Sequence, residues 1–128
     1  MNEKVIYALR SGDRVLCEWR EYDGTMQDCI LGGCVETCDR VQDDYVLAAA
    51  RREAKEELGI HARQCEKVGD FVNNGVRFHI VIIDTWTGTM PHINRDNSNE
   101  LHWVTLDMLI DGITLAPLKE VMTKLKTT

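Results

Sequence analysis

Apolar and polar side chains alternate early in the chain, where Val5–Leu9 and Arg14–Arg20 read as strands joined by a turn at "SGD". In the second strand Val15, Cys17 and Trp19 alternate with Arg14, Glu18 and Arg20, the period expected of a half-buried strand. A "DGT" turn then precedes a short apolar stretch, "CILGG". From Gly32 to Asp44 the chain is polar and loop-like, and at Tyr45 the period becomes helical. Leu47, Ala50, Ala54 and Leu58 fall on one stripe of a helix over Tyr45–Leu58, which predicts the core face. Asp43 or Asp44 can cap its start, and Gly59 suits the left-handed position that stops it. "VGDFV", an "NNG" turn and "VRFHIVIIDTW" predict a hairpin. A polar loop, Pro91–Asn99, leads to a strand over Leu101–Leu106. The last segment is an amphipathic helix with Leu118, Val121, Met122 and Leu125 on one face and Pro117 in its first turn. Strands, helix, strands, helix predict an α+β or α/β sandwich with mixed sheet pairing.

The chain has 128 residues, enough for one domain over 1–128 with a single core. Its net charge of −6 argues against non-specific binding to nucleic acid polymers or anionic membranes. It still permits an anionic small molecule if a cation lies between it and the protein. The first residues carry charges around a short apolar run, without the apolar core of a signal peptide, and "IVII" is far too short to span a bilayer. A cytoplasmic protein with its five cysteines reduced is expected, as a monomer or homodimer.

The chemistry concentrates in "AAARREAKEELGI". Glu53 and Glu57 are i,i+4 neighbours, and Glu53 and Glu56 are i,i+3 neighbours. Like charges at these spacings cost a helix ~0.2–0.5 kcal/mol per pair. They also lie in its C-terminal half, where the macrodipole disfavours anions. Arg52 can offset part of this by pairing with Glu56 at i,i+4. A hard divalent cation is the natural partner for the rest, because Mg2+ commonly takes one or two carboxylates together with substrate phosphates. The competing account is a solvated surface helix.

"REAKEELGI" resembles the core of the Nudix hydrolase signature through Arg52, Glu53, Ala54, Glu56, Glu57, Gly59 and Ile60. Upstream, "LGGCVE" is similar to the Gly-Gly loop that enters the catalytic helix in that family, and the order of elements is also Nudix-like. The resemblance implies a Nudix-type α/β/α sandwich and hydrolysis of a phosphoanhydride in a nucleoside diphosphate derivative with Mg2+ or Mn2+. It implies that Glu53, Glu56 and Glu57 bind metal, that Arg52 holds a glutamate in place, and that Gly32 and Gly33 let backbone approach the metal and phosphates. Glu53 and Glu100 are both candidates for the general base. One departure stands out. The usual signature glutamate lies six residues after the second glycine and eight before the arginine, which here reach Asp39 and Asp44 respectively. The connection therefore carries about five extra residues, expected as an external loop that re-enters the helix near Asp43 or Asp44. Either aspartate can replace the glutamate.

Other chemistry is weaker. Cys29, Cys34 and Cys38 lack the paired spacing of a zinc site, and Cys34 with Cys38 as a redox pair is no stronger. His61, His79, His92 and His102 show no ligand spacing, and Trp86, Trp103 and Phe78 read as core, with room for one of them to line a nucleobase pocket. A Nudix-fold domain that binds a nucleotide without cleaving it is the main alternative to an enzyme, and the intact Arg52 and glutamates favour the enzyme. The markers of ADP-ribose, dinucleoside polyphosphate and coenzyme A hydrolases are missing. By elimination, the expected substrate is a free nucleoside triphosphate, released as monophosphate and pyrophosphate.

Overall fold

The computed structural model describes residues 2–22, 24–88 and 100–127. Strand β1 (Asn2–Ser11) turns through Gly12 into β2 (Arg14–Tyr22), and β3 (Thr25–Cys29) and β4 (Leu31–Cys34) follow. Helix α1 spans Tyr45–Leu58. After the short β5 (His61–Ala62) come β6 (Cys65–Asn73) and β7 (Val76–Ile83), joined through Asn74 and Gly75. Both turn residues have positive φ, 52° and 76°, as a two-residue hairpin turn requires. The chain ends with β8 (Trp86–Thr87), β9 (Glu100–Thr105), α2 (Leu106–Gly112) and α3 (Ala116–Lys124).

The sheet is mixed. β1 runs parallel to β7, and β6 pairs antiparallel with β7. β1 and β2 pair only at Arg10–Val15 and Ser11–Arg14; from there β1 diverges and pairs with β4 instead. β2 carries β3 on one edge and β9 on the other. The β4-β1-β7-β6 and β3-β2-β9 parts thus spread apart, and a cleft of about 460 Å³ is lined from both. Alternate side chains of each strand point to opposite faces. Val5, Tyr7, Leu9, Val81 and Ile83 pack with Leu16 and Leu101 under Val46, Ala49, Ala50, Ala54 and Leu58 of α1. Ala8, Val15, Cys17, Ile80, Ile82 and Val104 pack on the other face, with Leu109, Ile110 and Met122 from α2 and α3. The α/β/α sandwich is the expected one.

Five local expectations need correction. Gly32 and Gly33, expected in a loop, lie in β4, where they pair with Ile6 and Val5. The core face of α1 is rotated: Val46 and Ala49 are buried, Leu47 is only half-buried, and Glu53 lies on the buried side. Asp44 is the residue before the helix, but its side chain makes no capping hydrogen bond. The expected strand through Trp86 stops at Ile83, where Asp84 and Thr85 turn to bond with Arg63 and Gln64 and let β8 pair with β5. Leu106 is not the end of a strand; Thr105 caps a helix there, its Oγ1 accepting from the Met108 N–H at 3.2 Å. The expected loop Pro91–Asn99 lies outside the described residues.

Candidate active site

The carboxylates stand where α1 passes the edge of the sheet at β4. Glu53 is buried, 9% exposed, because the rotation of α1 turns it inward toward Gly33. A Cβ at Gly33 would lie 2.2–2.5 Å from the Glu53 carboxyl atoms, so any larger residue there would displace that carboxyl. A Cβ at Gly32 would meet the Val5 carbonyl at 2.5 Å. The glycine pair is thus demanded first by the protein's own packing.

Arg52 organises the polar side of the site. Its Nε and Nη2 each donate to one oxygen of Asp39 at 3.0 Å, a bidentate pair. Nη2 also donates to the Cys34 carbonyl at 2.8 Å, and Nη1 donates to Glu53 and Glu56, both at 3.1 Å. Asp39 is 4% exposed and accepts the Glu36 N–H at 2.8 Å. Burial works against its ionisation, but Arg52 and that N–H hold its carboxyl below the ordinary range. The Arg52 guanidinium is correspondingly pushed up, chiefly by its hydrogen bonds to Asp39. Of the two aspartates, then, Asp39 meets Arg52. The connection contains a 3-10 turn, Asp39–Val41; it is external as expected, exposed over 40–44 and entering the helix after Asp44, with Asp39 alone turned inward.

Glu57 accepts a hydrogen bond from the Tyr7 hydroxyl at 2.8 Å. Burial pushes its carboxyl up to about 7; the Tyr7 bond opposes this, and the charges of Glu53 and Glu18 add to it. Glu53 is raised as well, mainly by burial against the pull of Arg52. Two neighbouring carboxylates are therefore short of positive charge.

Among the described residues, no three His, Cys, Asp or Glu side chains converge as a ready-made cation cage. Of the expected trio, Glu53 and the 58%-exposed Glu56 share Nη1 of Arg52, while Glu57 is held by Tyr7. The Glu53–Glu57 pair still fits an ion such as Mg2+, which needs only one or two protein carboxylates and takes further oxygens from substrate and water. Glu100 begins β9, but its side chain and residues 89–99 lie outside the described set.

The structure also brings in residues that local patterns did not mark. Tyr7 comes from a strand 50 positions before Glu57. Asp28 lines the cleft, and its Oδ1 is hydrogen-bonded to Nε2 of His102, one of the histidines read as incidental. Lys4 and Arg20 bring positive charge to the cleft walls. Phe78 stacks on Phe71 with ring centroids 5.2 Å apart, and both line the cleft beside Leu115 and Leu118. Cys34 and Cys38 are exposed and Cys17 is buried, its thiol pushed up to about 12 by burial.

The family model for the NUDIX domain matches residues 3–125. The chain therefore belongs to the Nudix hydrolase family. None of the curated proteins matches it. Among solved structures it is similar to one described in work on MutT from Aliivibrio salmonicida and Vibrio cholerae, at 19% identity and a TM-score of 0.72. That match covers 96% of this chain and 98% of the other. The E. coli ORF135 protein is 23% identical with a TM-score of 0.73, covering 98% and 91%. An ADP compounds hydrolase is 14% identical with a TM-score of 0.75, covering 98% and 71%. At these identities the likeness extends to the fold.

Proposed function

We propose that the protein hydrolyses a nucleoside triphosphate to the monophosphate and pyrophosphate, with Mg2+ as its cofactor and Mn2+ as a substitute. The observation that carries this reading is the pair Glu53 and Glu57, two carboxylates raised by burial, Glu57 lining the cleft and Glu53 packed against Gly33 of its wall. Paired carboxylates in such a setting favour a divalent cation. In this reading Glu53 and Glu57 would hold the cation, with Glu56 as the third carboxylate. The cation supplies the positive charge that neutralises phosphate oxygens and orients the attacking water. Asp39 fixes Arg52, Arg52 aims Glu53, and Gly33 gives Glu53 its space. Glu53 accepts the proton of the water, with Glu100 as the competing base.

The other end of the cleft suits a nucleoside. Its volume, about 460 Å³, lies within the ordinary range for small-molecule sites. Phe78 offers an aromatic face, and Asp28, steadied by His102, offers a carboxylate oxygen to an N–H group of a base. The structural neighbours, one a hydrolase of ADP compounds, support a nucleotide as ligand.

The test is a panel of nucleoside triphosphates, ADP-ribose and dinucleoside polyphosphates, incubated with purified protein and Mg2+ and resolved by chromatography. Monophosphate and pyrophosphate should form from a triphosphate, and chelation should stop the reaction. Efficient cleavage of ADP-ribose or a dinucleotide with triphosphates untouched overturns the substrate assignment. Undiminished turnover in chelator overturns the metal assignment.

A further inference from the structure

The turn that carries Asp39 is gripped from two directions. Asp39 points to Arg52, while the next residue, Arg40, points away and places Nη2 2.7 Å from Oε2 of Glu3. The Arg40 guanidinium also lies over the Tyr45 ring, 5.2 Å from its centroid. The other oxygen of Glu3 accepts the Tyr45 hydroxyl at 2.7 Å and contacts Nε2 of His79 at 2.6 Å. One carboxylate thus ties together β1, β7, the first residue of α1 and the inserted turn. His79 is buried and Glu3 half-buried, and His79 Nδ1 has no hydrogen-bond partner. None of Glu3, Arg40, Tyr45 and His79 lines the cleft, so substrate contact does not account for the cluster.

We propose that Glu3 is a positioning residue for the reaction, acting through Arg40 on the inserted turn. A connection lengthened by about five residues closes at little entropic cost, but it does not by itself hold Asp39 still. A functional carboxylate must be held within roughly 0.5 Å of its working place by well-supported neighbours. The Glu3–Arg40 pair supplies that support from behind. It locks the 3-10 turn, the turn presents both oxygens of Asp39 to Arg52, and Arg52 sets the places of Glu53 and Glu56. The inference rests on the reading of these glutamates as the cation-holding groups.

The test compares Glu3→Gln, Arg40→Ala, Arg40→Lys and the Glu3→Gln/Arg40→Ala double variant in the full chain. Amide exchange in the metal-free protein should quicken about tenfold at Asp39, Arg40 and Gln42, which donate within this turn. The Mg2+ concentration for half-maximal hydrolysis should rise about tenfold, while the KM for nucleotide stays within about twofold. Arg40→Lys should recover part of the loss, and the double variant should be no worse than the poorer single one. Arg40 is nearly half exposed, so Arg40→Ala carries the test where Glu3→Gln does not fold. A lowered melting temperature with unchanged turn exchange and unchanged Mg2+ requirement overturns the proposal. If no triphosphate is cleaved, Mn2+ affinity measured by calorimetry without substrate replaces the Mg2+ requirement: about tenfold weaker binding in the variants supports the proposal, and unchanged binding overturns it. Failure of the reaction is thereby separated from failure of this inference.

Discussion

At the residue scale, Glu57 and Gly33 show how the site trades stability for chemistry. The half-buried Glu57 carboxylate is disfavoured as an ion without a cation. Glu57→Gln should therefore leave the melting temperature of the metal-free protein unchanged or higher while cutting turnover at least ~100-fold. Thermal melts and steady-state kinetics on one preparation check both halves, and surviving activity would remove Glu57 from the metal site. Gly33→Ala acts differently, since its new methyl group would occupy the space of the Glu53 carboxyl, which must shift. The expected result is a Mg2+ requirement raised about tenfold, read from a metal titration.

At the element scale, the connection from β4 to α1 decides which aspartate matters. Asp39 is buried and makes a bidentate pair with Arg52, whereas the Asp44 side chain caps nothing. Arg52 keeps Glu53, Glu56 and the Cys34 carbonyl as partners but loses the charged bidentate pair, so Asp39→Asn should cost ~1.5–3 kcal/mol and most of the activity. Asp44→Asn should stay within ~0.5 kcal/mol. Denaturant unfolding of the two variants side by side distinguishes them, and equal, small effects would mean that neither replaces the signature glutamate.

At the scale of the whole molecule, two sets of carboxylates pull stability in opposite directions with pH. Glu3 is held down at about 2, chiefly by its hydrogen bond to His79, and Asp39 is also lowered. Their contribution is complete above the ordinary value near 4.5 and is lost as pH falls toward 2. Glu57 is raised to about 7, so between 4.5 and 7 the folded chain binds more protons than the unfolded one. There, stability falls as pH rises. The metal-free protein should melt highest near pH 4.5–5, and Mg2+ should raise the melting temperature mainly at pH 7 and above. Melts across pH with and without Mg2+ test this, and Glu57→Gln should flatten the slope between pH 5 and 7. A slope unchanged in that variant would place its cause elsewhere.

Local pattern determined the elements, because strand alternation, the helical period of 45–58, the Asn-Gly turn and Gly59 each act within a few residues. Gly59 does take the left-handed conformation, with φ 72°, and ends α1. The same locality made the signature legible, since Arg52, Glu53, Glu56 and Glu57 lie on one helix whose like charges carry a cost visible in the sequence. The rotation of α1 that buries Glu53 was set by the sheet beneath it, so the apolar stripe misassigned Leu47 and Val46. The helix at Leu106 leaves no periodic signal, because seven residues are too few for a period to show. Counting left Asp39 and Asp44 equal; only the fold, by carrying one turn against Arg52, separated them. The Tyr7–Glu57, Asp28–His102 and Glu3–His79 contacts join residues 50, 74 and 76 positions apart. Such pairings depend on strand order and on the divergence of β1 from β2, which no local sequence pattern encodes.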